Sequence, residues 1–156
     1  MITLYKSDKL EKMYEILGAF ESGRCYQIIE FRNKISNEPI IFCNIHCGHS
    51  RKSCILENSK FGNALINVIN GRDQRKLHII IAGDNNENYK APVNIGGIQF
   101  NLDTSKDPTC CDIKDGMNLS KGKYDWLLYN KNQIQSVVDM NGPYYSDHMP
   151  VFGKIN

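Results

Sequence analysis

The sequence lacks the features that mark membrane-spanning, fibrous and disordered proteins. None of its apolar runs is long enough to cross a bilayer, and it contains no internal repeat or low-complexity linker. The net charge is only +2 in 156 residues, too small by itself to indicate binding to nucleic acid or to a membrane. The first residues are charged and amphipathic, so we expect no secretory signal peptide. An apolar content of 41% is enough to form a core.

The charges are unevenly distributed along the chain. Residues 1–80 carry 12 basic and 8 acidic side chains, whereas residues 81–156 carry 7 basic and 9 acidic ones. The length suits one domain or part of a larger one. Most of the candidate carboxylates discussed below therefore fall in the acidic half, where a bound cation would offset them.

The six cysteines lack the context of a secreted disulfide framework, because no signal peptide is expected and Cys110 and Cys111 are adjacent. We interpret them as reduced thiols of an intracellular protein. A second interpretation is a zinc site, with ligands drawn from Cys43, His46, Cys47, His49 and Cys54. That segment lacks the two close ligand pairs of strong zinc signatures, so buried free cysteine is the favoured interpretation.

Apolar runs bounded by turn residues predict a series of strands. The expected strands are residues 2–5, 25–31, 40–45, 77–82, 124–130, 134–140 and 151–155. Residues 8–20 have helical spacing, and a helix capped by Ser53 is expected to stop at Gly71. Residues 86–123 show little periodicity and predict a long surface loop. Mixed strands with one well-marked helix indicate an α+β fold.

Several polar residues lie where the predicted strands begin or end. They are His46, Asp84, Asn86, Asp125, Asp147 and His148. If the strands share one sheet, these side chains meet at one rim. Carboxylates with a carboxamide suit Mg²⁺ or Mn²⁺, and histidines suit proton transfer or a developing phosphate charge. Each residue alone also fits an ordinary turn or a solvated strand end, so the hypothesis of a site depends on their joint order.

That order resembles the successive motifs of the endonuclease/exonuclease/phosphatase superfamily, which comprises metal-dependent phosphoesterases. The similarity covers about residues 40–155 and rests on the segments NIHCG, HIIIAGDNNE, YDWLLYN and YSDHMPVFGKI. Asn85 stands where the family usually has an aromatic residue. The strand expected near residues 1–6 gives weaker support. The resemblance implies that residues 1–156 form a single partial domain, the C-terminal portion of a four-layer α/β sandwich.

The resemblance also implies roles in divalent-metal-dependent phosphodiester hydrolysis. Asp84 would orient or deprotonate the attacking water, and Asn86 would hold that water or a phosphate oxygen. Asp147 would bind the metal, Mg²⁺ or Mn²⁺. His148 would contact the scissile phosphate, and Asp125 would hydrogen-bond to His148 and fix its orientation.

Nucleic acid is the expected substrate, and another phosphoester is the alternative substrate. His46 would lie across the site, near a phosphate oxygen or the leaving group. Arg51 and Lys52 follow His46 closely and are the candidate substrate-binding residues. Trp126 either stacks on a base or packs in the core or at its rim.

The sequence lacks the opening segment of that family, which carries a Gln-Glu pair and the principal metal-binding glutamate. No glutamate here has the matching context. Three explanations stay open: a fragment of a longer protein, a split enzyme completed by a second chain, or a reduced family member. The first two preserve the nuclease-like activity. The third would be a phosphate- or protein-binding module without catalysis.

Overall fold

A computed structural model describes residues 1–20, 22–48, 55, 60–110, 113–114, 117–118, 122–139 and 148–154. Its elements in chain order are β1 (Leu10–Ala19), β2 (Cys25–Asn33), β3 (Pro39–His46), α1 (Lys60–Ile69), β4 (His78–Asp84), β5 (Val93–Ile95), β6 (Ile98–Leu102), β7 (Ile113–Lys114), β8 (Met117–Asn118), β9 (Asp125–Tyr129), β10 (Gln135–Val138) and β11 (Val151–Lys154). Within these ranges, no helix has the length and apolar character needed to cross a membrane.

Seven strands form the main sheet, in the order β1-β2-β3-β4-β9-β6-β5. β3 and β4 run parallel, whereas the other neighbours in this sheet are antiparallel. Parallel strands need a crossover connection, and α1 lies in the one between β3 and β4. Because these two strands run in the same direction, their carboxyl ends meet at one edge of the sheet.

One face of the main sheet packs against α1 and forms the core. The buried side chains of α1 are apolar and recur at helical spacing: Phe61, Leu65, Val68 and Ile69. Every second residue of the facing strands is buried against them: Ile41, Cys43, Ile45, Ile79, Ile81, Trp126 and Leu128. This alternation is what one buried sheet face requires.

Among the described residues, the N-terminal segment and β11 both contact the opposite face of the main sheet. Near β2, the ring centroid of Tyr5 lies 4.8 Å from that of Phe31. Near β9, β11 comes so close that a Cβ on Gly153 would lie 2.3 Å from the Leu127 side chain. Strands β3 and β4 lie between these two contacts, and their side chains on this face are only half-buried: Phe42, Ile80 and Ala82.

The predicted α+β class is confirmed, and so are most of the predicted strands. β2 and β3 form the expected hairpin, and β4 lies at the centre of the main sheet. α1 ends at Ile69 and Gly71 follows with φ 75°, as a glycine stop predicts. The predicted cap, Ser53, lies outside the described residues.

The helix predicted for residues 8–20 was wrong, because most of this segment is β1. Its core contacts come from alternate residues, Tyr14 and Ile16. Leu17, which contributed to the apparent helical spacing, is 72% exposed. A register shift between Lys12 and Tyr14 interrupts the alternation, which hides the strand in the sequence.

Two further predictions were wrong in part of the chain. Residues 2–5 form no strand. Residues 86–123, predicted as a long loop, contain the β5–β6 hairpin and the short β7–β8 pair. Gly96 and Gly97 make the two-residue turn of that hairpin, with φ 58° and 77°. Two glycines between apolar runs are a known hairpin signal, so this element was predictable.

Gly83 provides a test of how closely β4 must approach β3. Its φ is 129°, and a Cβ there would lie 2.1 Å from the Ile45 carbonyl oxygen. We expect Gly83→Ala to lower the free energy of unfolding by about 3 kcal/mol, because backbone strain and a backbone clash act together. Gly97→Ala, where φ is also positive but no atom lies within 4 Å, should cost about 1 kcal/mol. Equal losses in urea unfolding would contradict this reading.

Candidate active site

The parallel pair β3–β4 brings two of the predicted site residues together. His46 ends β3, Asp84 ends β4, and the two are register partners. His46 Nε2 lies 3.4 Å from Asp84 Oδ2. In the antiparallel β4–β9 pair, Asp84 is also the partner of Asp125, the first residue of β9. The end of β4 is therefore the point where three strand termini meet.

Asn86 immobilises the Asp84 carboxylate. Its backbone N–H donates to Asp84 Oδ1 at 2.9 Å, in a residue with φ 49°. Its side-chain amide donates to Asp84 Oδ2 at 3.1 Å and to the Cys47 carbonyl at 2.7 Å. Both amide hydrogens are used, so only Oδ1 remains, as an acceptor. Asn86 can therefore hold a water or a cation in this arrangement, but it cannot donate to a phosphate oxygen.

Asp125 and His148 form a hydrogen-bonded pair beside Asp84. His148 Nδ1 lies 2.8 Å from Asp125 Oδ2, and His148 Nε2 lies 3.8 Å from Asp84 Oδ2. Burial raises the pKa of the Asp125 carboxyl above its usual range. Hydrogen bonds from His148 and Thr109 act in the opposite direction, and the nearby Asp84 charge adds to the increase.

The short segment at Thr109 and Cys110 holds both members of this pair. The Thr109 hydroxyl oxygen accepts the backbone N–H of Asp125 at 3.0 Å, and its carbonyl accepts that of Met149 at 2.8 Å. Cys110 forms a backbone bridge with His148 and places its sulfur 3.2 Å from Nε2. The segment lies in the region predicted to be a loop, and no sequence pattern pointed to it.

The cysteine interpretation requires a correction. Cys47 and Cys110 each take part in a disulfide bond, so the expectation of reduced thiols was wrong for these two. Cys25 and Cys43 are free, and burial raises the pKa of the Cys43 thiol far above its usual value. A disulfide sulfur and a protonated buried thiol are poor zinc ligands, so the zinc interpretation gains no support. The cysteines therefore no longer support the predicted intracellular location.

A group of donors at this edge suits a divalent cation. One ligand atom each from Asp84, Asp125 and His148 lies within 4.8 Å of the others. Asn86 Oδ1 adds a neutral oxygen on the residue that fixes Asp84. Carboxylate and carboxamide oxygens are the donors that Mg²⁺ and Mn²⁺ prefer, and one imidazole is compatible with Mn²⁺. The donor set therefore fits a metal ion of the predicted class.

The remaining sequence candidates divide into two groups. Asp147, Arg51 and Lys52 lie outside the described residues. Trp126 is 6% exposed, donates its indole N–H to the Glu87 carbonyl at 2.9 Å and packs in the core, so it offers no open face for base stacking.

One basic residue near the site was missed by the sequence reasoning. Arg24 lies in the turn between β1 and β2, with Nη1 3.5 Å from His46 Nδ1. Arg24 reaches the site because residues 10–19 form a strand, which reverses direction into β2, rather than the predicted helix. Arg24 is therefore a described cation in contact with His46.

The fold is that of the endonuclease/exonuclease/phosphatase proteins. The catalytic domain of human Nocturnin with bound sulfate is 14% identical and has a TM-score of 0.64, with 95% of this chain and 62% of that chain covered. An endonuclease/exonuclease/phosphatase family protein from Bacteroides thetaiotaomicron is 16% identical, with coverages of 94% and 66% and a TM-score of 0.62. A mannosyl-6-phosphatase from Bacteroides thetaiotaomicron is 15% identical, with coverages of 94% and 67% and a TM-score of 0.61.

These similarities concern the fold, because all three identities are low. No protein-family model and no curated protein matches the sequence. The chain spans 62% of the Nocturnin structure, which agrees with the predicted incomplete α/β sandwich. The fold predicted from the motif order is thus confirmed.

The raised pKa of Asp125 predicts an acid-side response at His148. As pH falls through that pKa, Asp125 loses its charge and stops stabilising a protonated His148. In metal-free NMR titrations we expect the His148 ring signals to show a second inflection, at a pH above the usual 3.8 of an aspartate. Asp125→Asn should remove it.

His78 is the internal control for this titration. Its Nδ1 lies 2.5 Å from the Tyr129 hydroxyl, with no carboxylate in that contact. Its signals should be the same in the wild type and in Asp125→Asn. A His148 inflection that persists in Asp125→Asn would contradict the assignment.

Proposed function

We propose that this site hydrolyses phosphodiesters with a divalent metal, and that its substrate is nucleic acid. The observation that carries the proposal is the arrangement around Asp84 Oδ2, with His46 Nε2 at 3.4 Å and His148 Nε2 at 3.8 Å. A carboxylate between two imidazoles can accept a proton from water while an imidazolium stabilises phosphate charge. The names of the similar structures, which include a phosphatase, support phosphoester chemistry.

Asp84 is the proposed base for the attacking water. The two hydrogen bonds from Asn86 fix its carboxylate, so little reorganisation is needed before it accepts a proton. The remaining acceptor, Asn86 Oδ1, would bind the second hydrogen of the same water. This assigns Asn86 to the water rather than to a phosphate oxygen.

His148 is the proposed donor to the phosphate. Its Nδ1–H donates to Asp125, which stabilises the protonated ring, and its Nε2–H would exchange its contact with the Cys110 sulfur, 3.2 Å away, for one with a phosphate oxygen. His46, on the other side of Asp84, would contact a phosphate oxygen or the leaving group. The Asp125 carboxylate, with Asp147 as the further sequence candidate, would hold Mg²⁺ or Mn²⁺, which leaves Asp84 to accept the proton. When bound, such an ion supplies positive charge against the charge that develops on phosphorus oxygens.

Cleavage assays with labelled oligonucleotides test this proposal. Single- and double-stranded DNA and RNA would be incubated with increasing Mg²⁺ or Mn²⁺. We expect metal-dependent cleavage and about a 100-fold loss of kcat/KM in His148→Ala. His78→Ala is the matched control, because His78 is the first residue of β4 and Asp84 is its last. Absence of metal-dependent cleavage, or equal activity of the two variants, would remove the proposed hydrolysis for this chain.

A second candidate function follows from the exposed face of the small β10–β11 sheet. β10 and β11 form a two-stranded sheet, and their outward residues Val137 and Phe152 are 65% and 61% exposed. A two-stranded sheet is marginal by itself and gains stability from further strands or helices. We propose that a second chain covers this pair, completes the fold and enables turnover. Without it, the chain would act as a phosphate- or protein-binding module.

Binding of the dye ANS tests whether this uncovered surface exists in solution. We expect Val137→Ser with Phe152→Ser to reduce ANS fluorescence, because the dye binds exposed apolar surface. Stability should change by no more than about 0.5 kcal/mol, since both side chains are exposed. Ile35→Ser is the control, because Ile35 is 79% exposed but lies in the β2–β3 turn. Equal fluorescence in all proteins would contradict an open β10–β11 face.

A further inference from the structure

The β1–β2 turn holds Arg24 at a defined position. The Phe20 N–H donates to the Arg24 carbonyl at 2.8 Å, and the Gly23 N–H donates to the Phe20 carbonyl at 3.0 Å. Phe20 is buried, and its ring lies 5.1 Å from that of Tyr26. The backbone of Arg24 is therefore attached directly to the core, although its side chain is exposed.

The guanidinium of Arg24 and the carboxylate of Asp84 contact different ring nitrogens of His46. Nη1 lies 3.5 Å from His46 Nδ1, while His46 Nε2 lies 3.4 Å from Asp84 Oδ2. A guanidinium can only donate, so Nδ1 must be the acceptor and the imidazole hydrogen is on Nε2. Arg24 thus selects one tautomer of His46 and places a permanent positive charge one ring away from Asp84.

Arg24 differs from the other described arginines in its partners. Arg32, Arg72 and Arg75 each form an ion pair with a carboxylate. Among the residues that the structure describes, no carboxylate lies within ion-pair distance of Arg24. An exposed guanidinium beside an imidazole, rather than beside an acid, retains donors for an anionic ligand. Phosphate suits it well, because the planar guanidinium can bind two oxygens at once.

We propose that Arg24 binds a phosphate of the substrate that neighbours the scissile one. This rests on the proposed function and deepens it, because it selects substrates with consecutive phosphates over small molecules with one. The scissile phosphate would lie beside Asp84 and His148, and the next phosphate along the strand would reach Arg24 past His46. The β1–β2 turn is then part of a substrate track rather than only a connection.

Equilibrium binding of a labelled single-stranded oligonucleotide, with EDTA to prevent turnover, tests this role. We expect Arg24→Ala to weaken binding about tenfold, as loss of a charge-assisted phosphate contact does. It should also reduce the slope of log K against log salt by about 0.7, the value for one phosphate contact on a single strand. Arg24→Lys should keep the salt slope and recover part of the affinity, because the charge remains but the two-point geometry does not.

Arg32→Ala is the matched control, because Arg32 lies near the other end of β2 and pairs with Glu11 at 3.9 Å. It should leave both affinity and salt slope unchanged. Binding of a mononucleotide should respond equally weakly to both alanine variants. The proposal is overturned if the wild type does not bind the oligonucleotide, or if Arg24→Ala and Arg32→Ala behave alike.

The same proteins separate this proposal from the proposed hydrolysis. Arg24-dependent binding without metal-dependent cleavage would refute hydrolysis by this chain and support the phosphate contact. Suppose instead that cleavage is lost in His148→Ala and that Arg24→Ala binds the oligonucleotide as tightly as the wild type. This result would support hydrolysis and refute the phosphate contact.

Discussion

The close approach of β4 to β3 at Gly83 is the constraint on which the site depends. Gly83 lies against the Ile45 carbonyl, where a side chain has no room, so the two parallel strands end level with each other. The pairing continues beyond the strands, because the Cys47 N–H donates to the Asp84 carbonyl at 2.7 Å. The Asn86 side-chain amide in turn donates a hydrogen bond to the Cys47 carbonyl. Backbone geometry, rather than side-chain attraction, therefore brings His46 to Asp84.

Two carboxylates so close together need compensation, and the surrounding donors provide it. Asp84 accepts two hydrogen bonds from Asn86, and Asp125 is bonded to His148. The strand that carries Asp125 is fixed by a buried ion pair. Lys123 is bonded to Asp103, whose other oxygen accepts the Leu127 N–H at 2.9 Å. Removing one partner of such a pair leaves a buried charge, so β9 has little freedom to shift.

Much of the fold was predictable because apolar runs between turn residues mark strands that are buried on at least one face. This reasoning found β2, β3, β4 and β9. It failed at β1, where a register shift and the exposed Leu17 imitate a helical pattern. The low periodicity of residues 86–123 concealed the β5–β6 hairpin, although its two glycines were a usable signal.

The candidate site was predictable residue by residue but not contact by contact. The positions of His46, Asp84 and Asp125 follow from strand ends, which the sequence displays. The use of both Asn86 amide hydrogens depends on the Cys47 carbonyl, which only the tertiary structure brings near. Likewise, Arg24 reaches His46 across the chain reversal between β1 and β2. The local sequence shows which side chains belong to the site. Which partner each side chain contacts depends on strand pairing between residues far apart in the chain.

The edges of the main sheet have a consequence for how the protein can assemble. β1, one edge strand, carries a bulge between Lys12 and Tyr14 and exposes charged side chains at Glu11 and Glu15. β5, the other edge, is only three residues long. Bulges, charges and short edge strands all oppose the addition of another strand. The main sheet is thereby protected from edge-to-edge aggregation at both of its edges.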